Sequence, residues 1–175
     1  MAGPAPGPEP AASGEAGAAV SGGPGRRFVY HCALRWSDLD AYGHVNNARF
    51  LTLYEEARVA MMFTAARAWG LTSFEEGIVI SRHEVDYLRP VDYRAGADEH
   101  TGPRVRIELW VEHIRPSRFT IVYELFDGDV VASRARSVLV PFDLPRQRPR
   151  RLTEVERAYL EPYLIPPSAT GGRRG

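Results

Sequence analysis

The chain has 175 residues and a formal net charge of zero, 22 basic side chains against 22 acidic ones, so one domain with tails is expected and no charge excess draws it to nucleic acid or a membrane surface. Every basic residue is arginine, and the absence of lysine excludes Schiff-base chemistry and a lysine-bearing phosphate loop. The apolar runs fall far short of the roughly 20 residues a membrane span needs, and the single cysteine, Cys32, permits neither an internal disulfide nor a cysteine-based metal site.

Residues 1–25 are mostly Gly, Ala, Pro and Ser and cannot repay the entropy of ordering, which predicts a disordered leader. No apolar run follows a basic start there, as it would in a secretory signal, so the cytoplasm is the default location and the chain is expected to be soluble. From Arg27 the pattern alternates, with Phe28, Tyr30, Cys32, Leu34 and Trp36 on one face of a strand.

Between Asn47 and Trp69 the spacing is helical, with Phe50, Tyr54, Ala57, Met61, Ala65 and Ala68 on one side. Leu51, Leu53, Ala60 and Met62 widen the apolar face beyond what a surface helix needs, which predicts a helix wrapped by a curved sheet. Glu55 and Arg58 are spaced for a surface ion pair or for a place at the edge of a site. Strand-like segments follow at Ile78 to Tyr93, Val105 to Ile114, Phe119 to Phe126 and Val130 to Phe142, with a hairpin signal at Asp127-Gly128. Pro90 requires a bulge, an edge or a strand end. Strand, long helix and four mostly antiparallel strands define an α+β fold over residues 26–143. A Pro- and Arg-rich linker with a short helix, opened by a capping box at Thr153 and Glu156, is expected over 144–165, and a disordered tail over 166–175.

The densest chemistry lies between strand and helix, where ten residues hold Asp38, Asp40, Gly43, His44, Asn46 and Asn47. Asn46 or Asn47 suits the N-cap, and the helix start offers unpaired N–H groups and a positive dipole end to an anion or a developing oxyanion. Gly43 permits a sharp turn that brings Asp40 and His44 to the same end. A carboxylate beside an oxyanion site can attack an acyl group or direct water at it.

The run Asp38-x-Asp40-x-x-Gly43-His44-Val45-Asn46-Asn47, followed by Glu56-Ala57-Arg58, resembles the hotdog-fold thioesterases of the 4-hydroxybenzoyl-CoA thioesterase family, over roughly residues 27–143. The resemblance implies a curved antiparallel sheet around one long helix and hydrolysis of an acyl-CoA thioester without cofactor or metal. By motif position it makes Asp40 the catalytic carboxylate, with Asp38 holding the turn, and it puts the N–H that polarises the thioester carbonyl at Asn47. It also implies a homodimer or a tetramer of dimers with sites at subunit interfaces, and phosphate contacts at the turn bearing Arg115, Ser117 and Arg118, where the guanidinium fork suits phosphate. Several family members carry other residues at His44, Asn46 and Asn47, so the motif leaves the acyl group open.

Other readings stand beside these. Asp40 also suits an aspartate satisfying its own turn; His44 either positions substrate or water or bonds to the turn; Asn46 is a cap or a substrate contact. Arg115, Ser117 and Arg118 are equally well a solvated turn, and Arg82, His83 and Tyr87 line an acyl pocket or face solvent. A hard cation on Asp38, Asp40 and His44 is conceivable, whereas His31, His83, His100 and His113 lack ligand spacing. Two alternatives to the acyl-CoA thioesterase follow: a non-catalytic acyl-CoA binding module, and a thioesterase for acyl groups on a carrier protein.

Overall fold

A computed structural model describes residues 25–93 and 102–167. All of the expected leader but Gly25, most of the expected tail and His100 lie outside the described residues. Strand β1 (Phe28–Ala33) buries Phe28, Tyr30 and Cys32 in the alternation the sequence carries. It ends before Trp36, which is 78% exposed on a 3-10 turn (Trp36–Asp38) instead of continuing the buried row. The buried Asp38 carboxylate breaks the strand, accepting from the Arg35 N–H at 2.7 Å and pulling the chain into the turn.

Asn46 caps the long helix, its side-chain oxygen accepting from the Ala48 N–H at 2.9 Å. The helix runs through α1 (Asn47–Val59), a π-helical segment (Ala60–Ala65) and α2 (Ala66–Ala68). Phe50, Tyr54, Ala57 and Met61 are buried at the expected spacing, but after the π segment the buried position is Ala66, while Ala65 is half-buried and Ala68 exposed. The wider π turn inserts about one residue and rotates the apolar stripe by that amount. Leu53, Ala60 and Met62 are buried and Leu51 is exposed.

The sheet has the order β1-β3-β4-β5-β2, with β2 Ile78–Tyr87, β3 Arg104–Arg115, β4 Arg118–Asp127 and β5 Val130–Asp143 in antiparallel pairs. A short β6 (Arg148–Pro149), unforeseen in the sequence, pairs antiparallel with the end of β5. Val105, Ile107, Leu109 and Val111 of β3 and Phe119, Ile121, Tyr123 and Leu125 of β4 form buried rows in one core with the helix, giving the α+β arrangement of a sheet around a helix. Asp127 and Val130 close the β4–β5 hairpin, with Gly128 at φ 59°. Strand β2 ends at Tyr87, short of Tyr93, and Pro90 follows where Leu88 and Arg89 donate their N–H groups to the Ala132 carbonyl.

The C-terminal segment packs onto this core. Helix α3 (Glu154–Leu160) opens with the expected Thr153–Glu156 capping box, and the Ile165 N–H donates to the Val111 carbonyl at 2.8 Å. The Tyr159 hydroxyl donates to the Met61 carbonyl, inside the π segment, at 2.5 Å. Such a contact supplies a partner where the helical ladder is irregular. Among the described residues no helix is long and apolar enough to cross a membrane.

Candidate active site

The loop from Asp38 to Asn46 is a small hairpin built by its own residues. Leu39 faces Val45, the Asp40 N–H donates to the His44 carbonyl at 2.8 Å, and the Gly43 N–H donates to the Asp40 carbonyl at 3.2 Å. Gly43 takes φ 83°, in the left-handed region where glycine carries no penalty, and this closes the turn. The Asp40 side chain reinforces it, Oδ1 accepting from the N–H groups of Tyr42 at 2.8 Å and His44 at 3.2 Å. Its other oxygen, Oδ2, takes part in no hydrogen bond among the described residues. Asp38 points the other way, buried, with Oδ1 on the Arg49 Nε at 3.1 Å, and braces loop to helix as expected.

The helix start completes the site. Asn46 spends its side-chain oxygen on the cap, and the N–H of Asn47 is the first of the helix, ahead of any acceptor in the helical ladder. Asp40, His44, Val45, Asn47 and Phe50 form one wall of a cleft of about 430 Å³, and Tyr87, Leu88, Arg89 and Pro90 form the other. A carboxylate held by one oxygen, an imidazole and the positive end of a helix thus share one opening. The His44 ring lies 3.7 Å from Asp92, Nε2 to Oδ1, across exposed surface where an ion pair contributes little. Asp38, Asp40 and His44 do not gather as cation ligands: among the described residues no three His, Cys, Asp or Glu side chains do.

The second wall was the part sequence reasoning left undecided. The Tyr87 ring meets Phe50 edge-on, centroids 5.2 Å apart, and its hydroxyl donates to the Asn47 carbonyl at 3.0 Å. The only prior signal was Pro90, which obliges β2 to end and turn nearby. Arg58, spaced for a surface pair, is buried, with Nη1 3.4 Å from the Tyr123 hydroxyl and Nη2 3.7 Å from the exposed Glu55. His83 bonds to the Ser137 hydroxyl at 2.7 Å; burial and the Arg58 cation hold its pKa below the ordinary histidine value. Arg115, Ser117 and Arg118 are exposed at the β3–β4 turn. Strand β3 starts beside the end of β1 that feeds the Asp40 loop and ends at Arg115. At about 3.3 Å per residue the strand is roughly 35 Å long along its path, so the turn lies at the far end of the strand from the Asp40 loop.

Known proteins match this chain in sequence and fold. A family model described as the thioesterase-like superfamily matches residues 34–167, and the chain belongs to that family: it is a hotdog-fold thioester hydrolase of the 4-hydroxybenzoyl-CoA thioesterase type. A 1,4-dihydroxy-2-naphthoyl-CoA hydrolase from Gloeothece citriformis is 28% identical over 116 residues, covering 64% of this chain and 74% of the relative. A predicted thioesterase from Bacillus stearothermophilus superposes with a TM-score of 0.67 at 26% identity, covering 82% of this chain and 100% of the other. A Thermus thermophilus thioesterase, solved in complex with coenzyme A and Zn, gives a TM-score of 0.62 at 28% identity, over 75% and 90% of the two chains.

Proposed function

We propose that this thioesterase hydrolyses an acyl-CoA to the free acid and coenzyme A, with Asp40 as the catalytic carboxylate. The observation that carries the reading is the convergence of Asp40, His44 and the Asn47 N–H on one cleft. Anchoring Oδ1 in the turn leaves Oδ2 to act on the thioester carbonyl, either attacking it directly or taking a proton from the water that attacks. In either route the carbonyl oxygen gains charge against the Asn47 N–H, an interaction worth about 3–4 kcal/mol in comparable sites. The C–S bond then breaks and the coenzyme A thiolate leaves to be protonated; after direct attack the acyl group is left on Asp40 as an anhydride, which water hydrolyses to release the acid and restore the carboxylate. His44 borders the reacting group, Asn46 caps the helix whose start receives the oxyanion, and Gly43 keeps the turn that presents Asp40. No cofactor or metal enters these steps.

The acyl-CoA substrate is supported by the naphthoyl-CoA hydrolase relative and by coenzyme A in the Thermus neighbour. We further assign a homodimer or a tetramer of dimers. Among the described residues strand β2 pairs only with β5, on one of its edges, and Leu51, Val59, Tyr87 and Leu88 are exposed along it and the helix. On this reading Arg115, Ser117 and Arg118 reach the coenzyme A phosphates from a second copy, since within one protomer they lie at the far end of β3 from the Asp40 loop. The setting is the cytoplasm, which the free, buried Cys32 suits.

The test is thiol release over a panel of short, long and aromatic acyl-CoAs, run beside binding measurements. Turnover of any member supports the enzyme, and the preferred one sizes the acyl pocket. Tight binding with no thiol released from any member refutes it and favours a binding module. Carrier-bound acyl groups turning over far faster than the coenzyme A forms would move the substrate to a carrier protein.

A further inference from the structure

Strand β2 carries a bulge between Ile80 and Arg82, where its register against β5 slips. Before the bulge Ile78 and Ile80 pack against the core; after it Val85 packs there, His83 reaches Ser137 and Tyr87 meets Phe50. The inserted residue reverses the parity of the strand, so Tyr87 faces the helix instead of the outer surface. Its hydroxyl then reaches the first turn of α1 at the mouth of the cleft.

The contact falls on a particular peptide. The unit joining Asn47 to Ala48 has its carbonyl bonded by the Tyr87 hydroxyl at 3.0 Å and its N–H bonded to Asn46 Oδ1 at 2.9 Å. Both ends of one peptide plane are therefore gripped, one from β2 and one from the cap, and the two bonds polarise each other. The Asn47 N–H belongs to the adjoining peptide, so its aim follows from how firmly that plane is held. Ordinary capping supplies the Asn46 half alone; a bond from a neighbouring strand to a first-turn carbonyl that already has a helical partner is not needed to form the helix.

We infer that Tyr87 is a positioning residue that fixes the direction of the Asn47 N–H toward the reacting carbonyl, an inference that rests on the thioesterase reading for its catalytic consequence. It does not touch the reacting atoms. Preorganised donors lower the barrier because they need no reorientation as charge develops, and loosening one is milder than deleting it. The expected loss is therefore about tenfold in kcat, below the hundredfold or more seen when a donor is removed, with KM within about twofold.

Tyr87→Phe is the variant, since it keeps the ring on Phe50 and removes only the hydroxyl. Steady-state kinetics on the best acyl-CoA are compared with the NMR signal of the Ala48 amide, the proton on the gripped peptide. The inference expects kcat to fall while KM and Tm hold, with the Ala48 resonance moving upfield and its hydrogen exchange quickening several-fold. An unchanged Ala48 amide overturns it, and so does unchanged kcat in an active enzyme. A parallel loss of Tm overturns it as well, by making Tyr87 a general structural contact. If wild type hydrolyses no acyl-CoA, the thioesterase reading fails separately, and the amide alone decides whether Tyr87 holds the helix start.

Discussion

Glu156 is fully buried, and its carboxylate takes hydrogen bonds from Arg150 Nη1 at 2.9 Å and Nη2 at 2.7 Å, from the Ser73 hydroxyl at 2.7 Å and from the Thr153 N–H at 2.8 Å. Three segments meet there: the turn before β2, the chain after β6 and the start of α3. Glu156→Gln keeps the shape but removes the charge and turns an acceptor into a donor facing Arg150. Breaking a buried pair costs about 3–5 kcal/mol, and because Arg150 keeps some access to water the expected loss is nearer 2–4 kcal/mol. For a chain of this size that lowers Tm by about 5–12 °C. Burial would raise the Glu156 pKa, but its bonds to Arg150, Thr153 and Ser73 outweigh this and hold it below the ordinary 4.5. The pair therefore stabilises fully above pH 4.5 and loses its contribution as pH falls through the lower folded-state value. Thermal melts of wild type, Glu156→Gln, Arg150→Met and the double variant between pH 3 and 7 measure both effects. A Glu156→Gln loss under about 0.5 kcal/mol, or no coupling in the cycle, would refute the reasoning.

Gly43→Ala meets no atom within 4 Å of the added Cβ, so its cost is purely conformational, about 1–2 kcal/mol at φ 83°; melts and turnover should fall together. Asn46→Ala removes the helix cap and should cost about 1 kcal/mol in a denaturant titration, with no change in the slope. Cys32 is buried and donates to Glu56 Oε2 at 3.0 Å, and burial together with that bond pushes its thiol pKa up. A chromogenic disulfide reagent should therefore leave it untouched in the native protein and titrate it only on unfolding; rapid native labelling would contradict the packing.

The loop of the candidate site was legible because its parts are close in sequence. Asp38, Asp40, Gly43, His44 and the Asn46 cap build one loop largely from their own hydrogen bonds, so residue type and spacing carry its geometry. The long helix and the strands were legible for the same reason, through their periods. What escaped depends on distant chain. The π segment, which makes Ala66 the buried residue, is contacted by Tyr159, and the second wall depends on the parity set by the β2 bulge. Alternation extended β1 to Trp36, but the Asp38 bond to the Arg35 N–H wins over it. Burial of Arg58 needed the sheet to curl over a helix face whose spacing also fits a surface pair.

The central claim is that Asp40 does the chemistry in an acyl-CoA thioesterase, and Asp40→Asn tests it most directly. An asparagine Oδ1 still accepts from the Tyr42 and His44 N–H groups, so the turn is retained and only the acid–base and nucleophilic capacity is lost. Thiol release should fall by about a hundredfold or more, with Tm and substrate affinity close to wild type. Near-normal turnover in the folded variant would leave Asp40 as a brace of its own loop and contradict the mechanism.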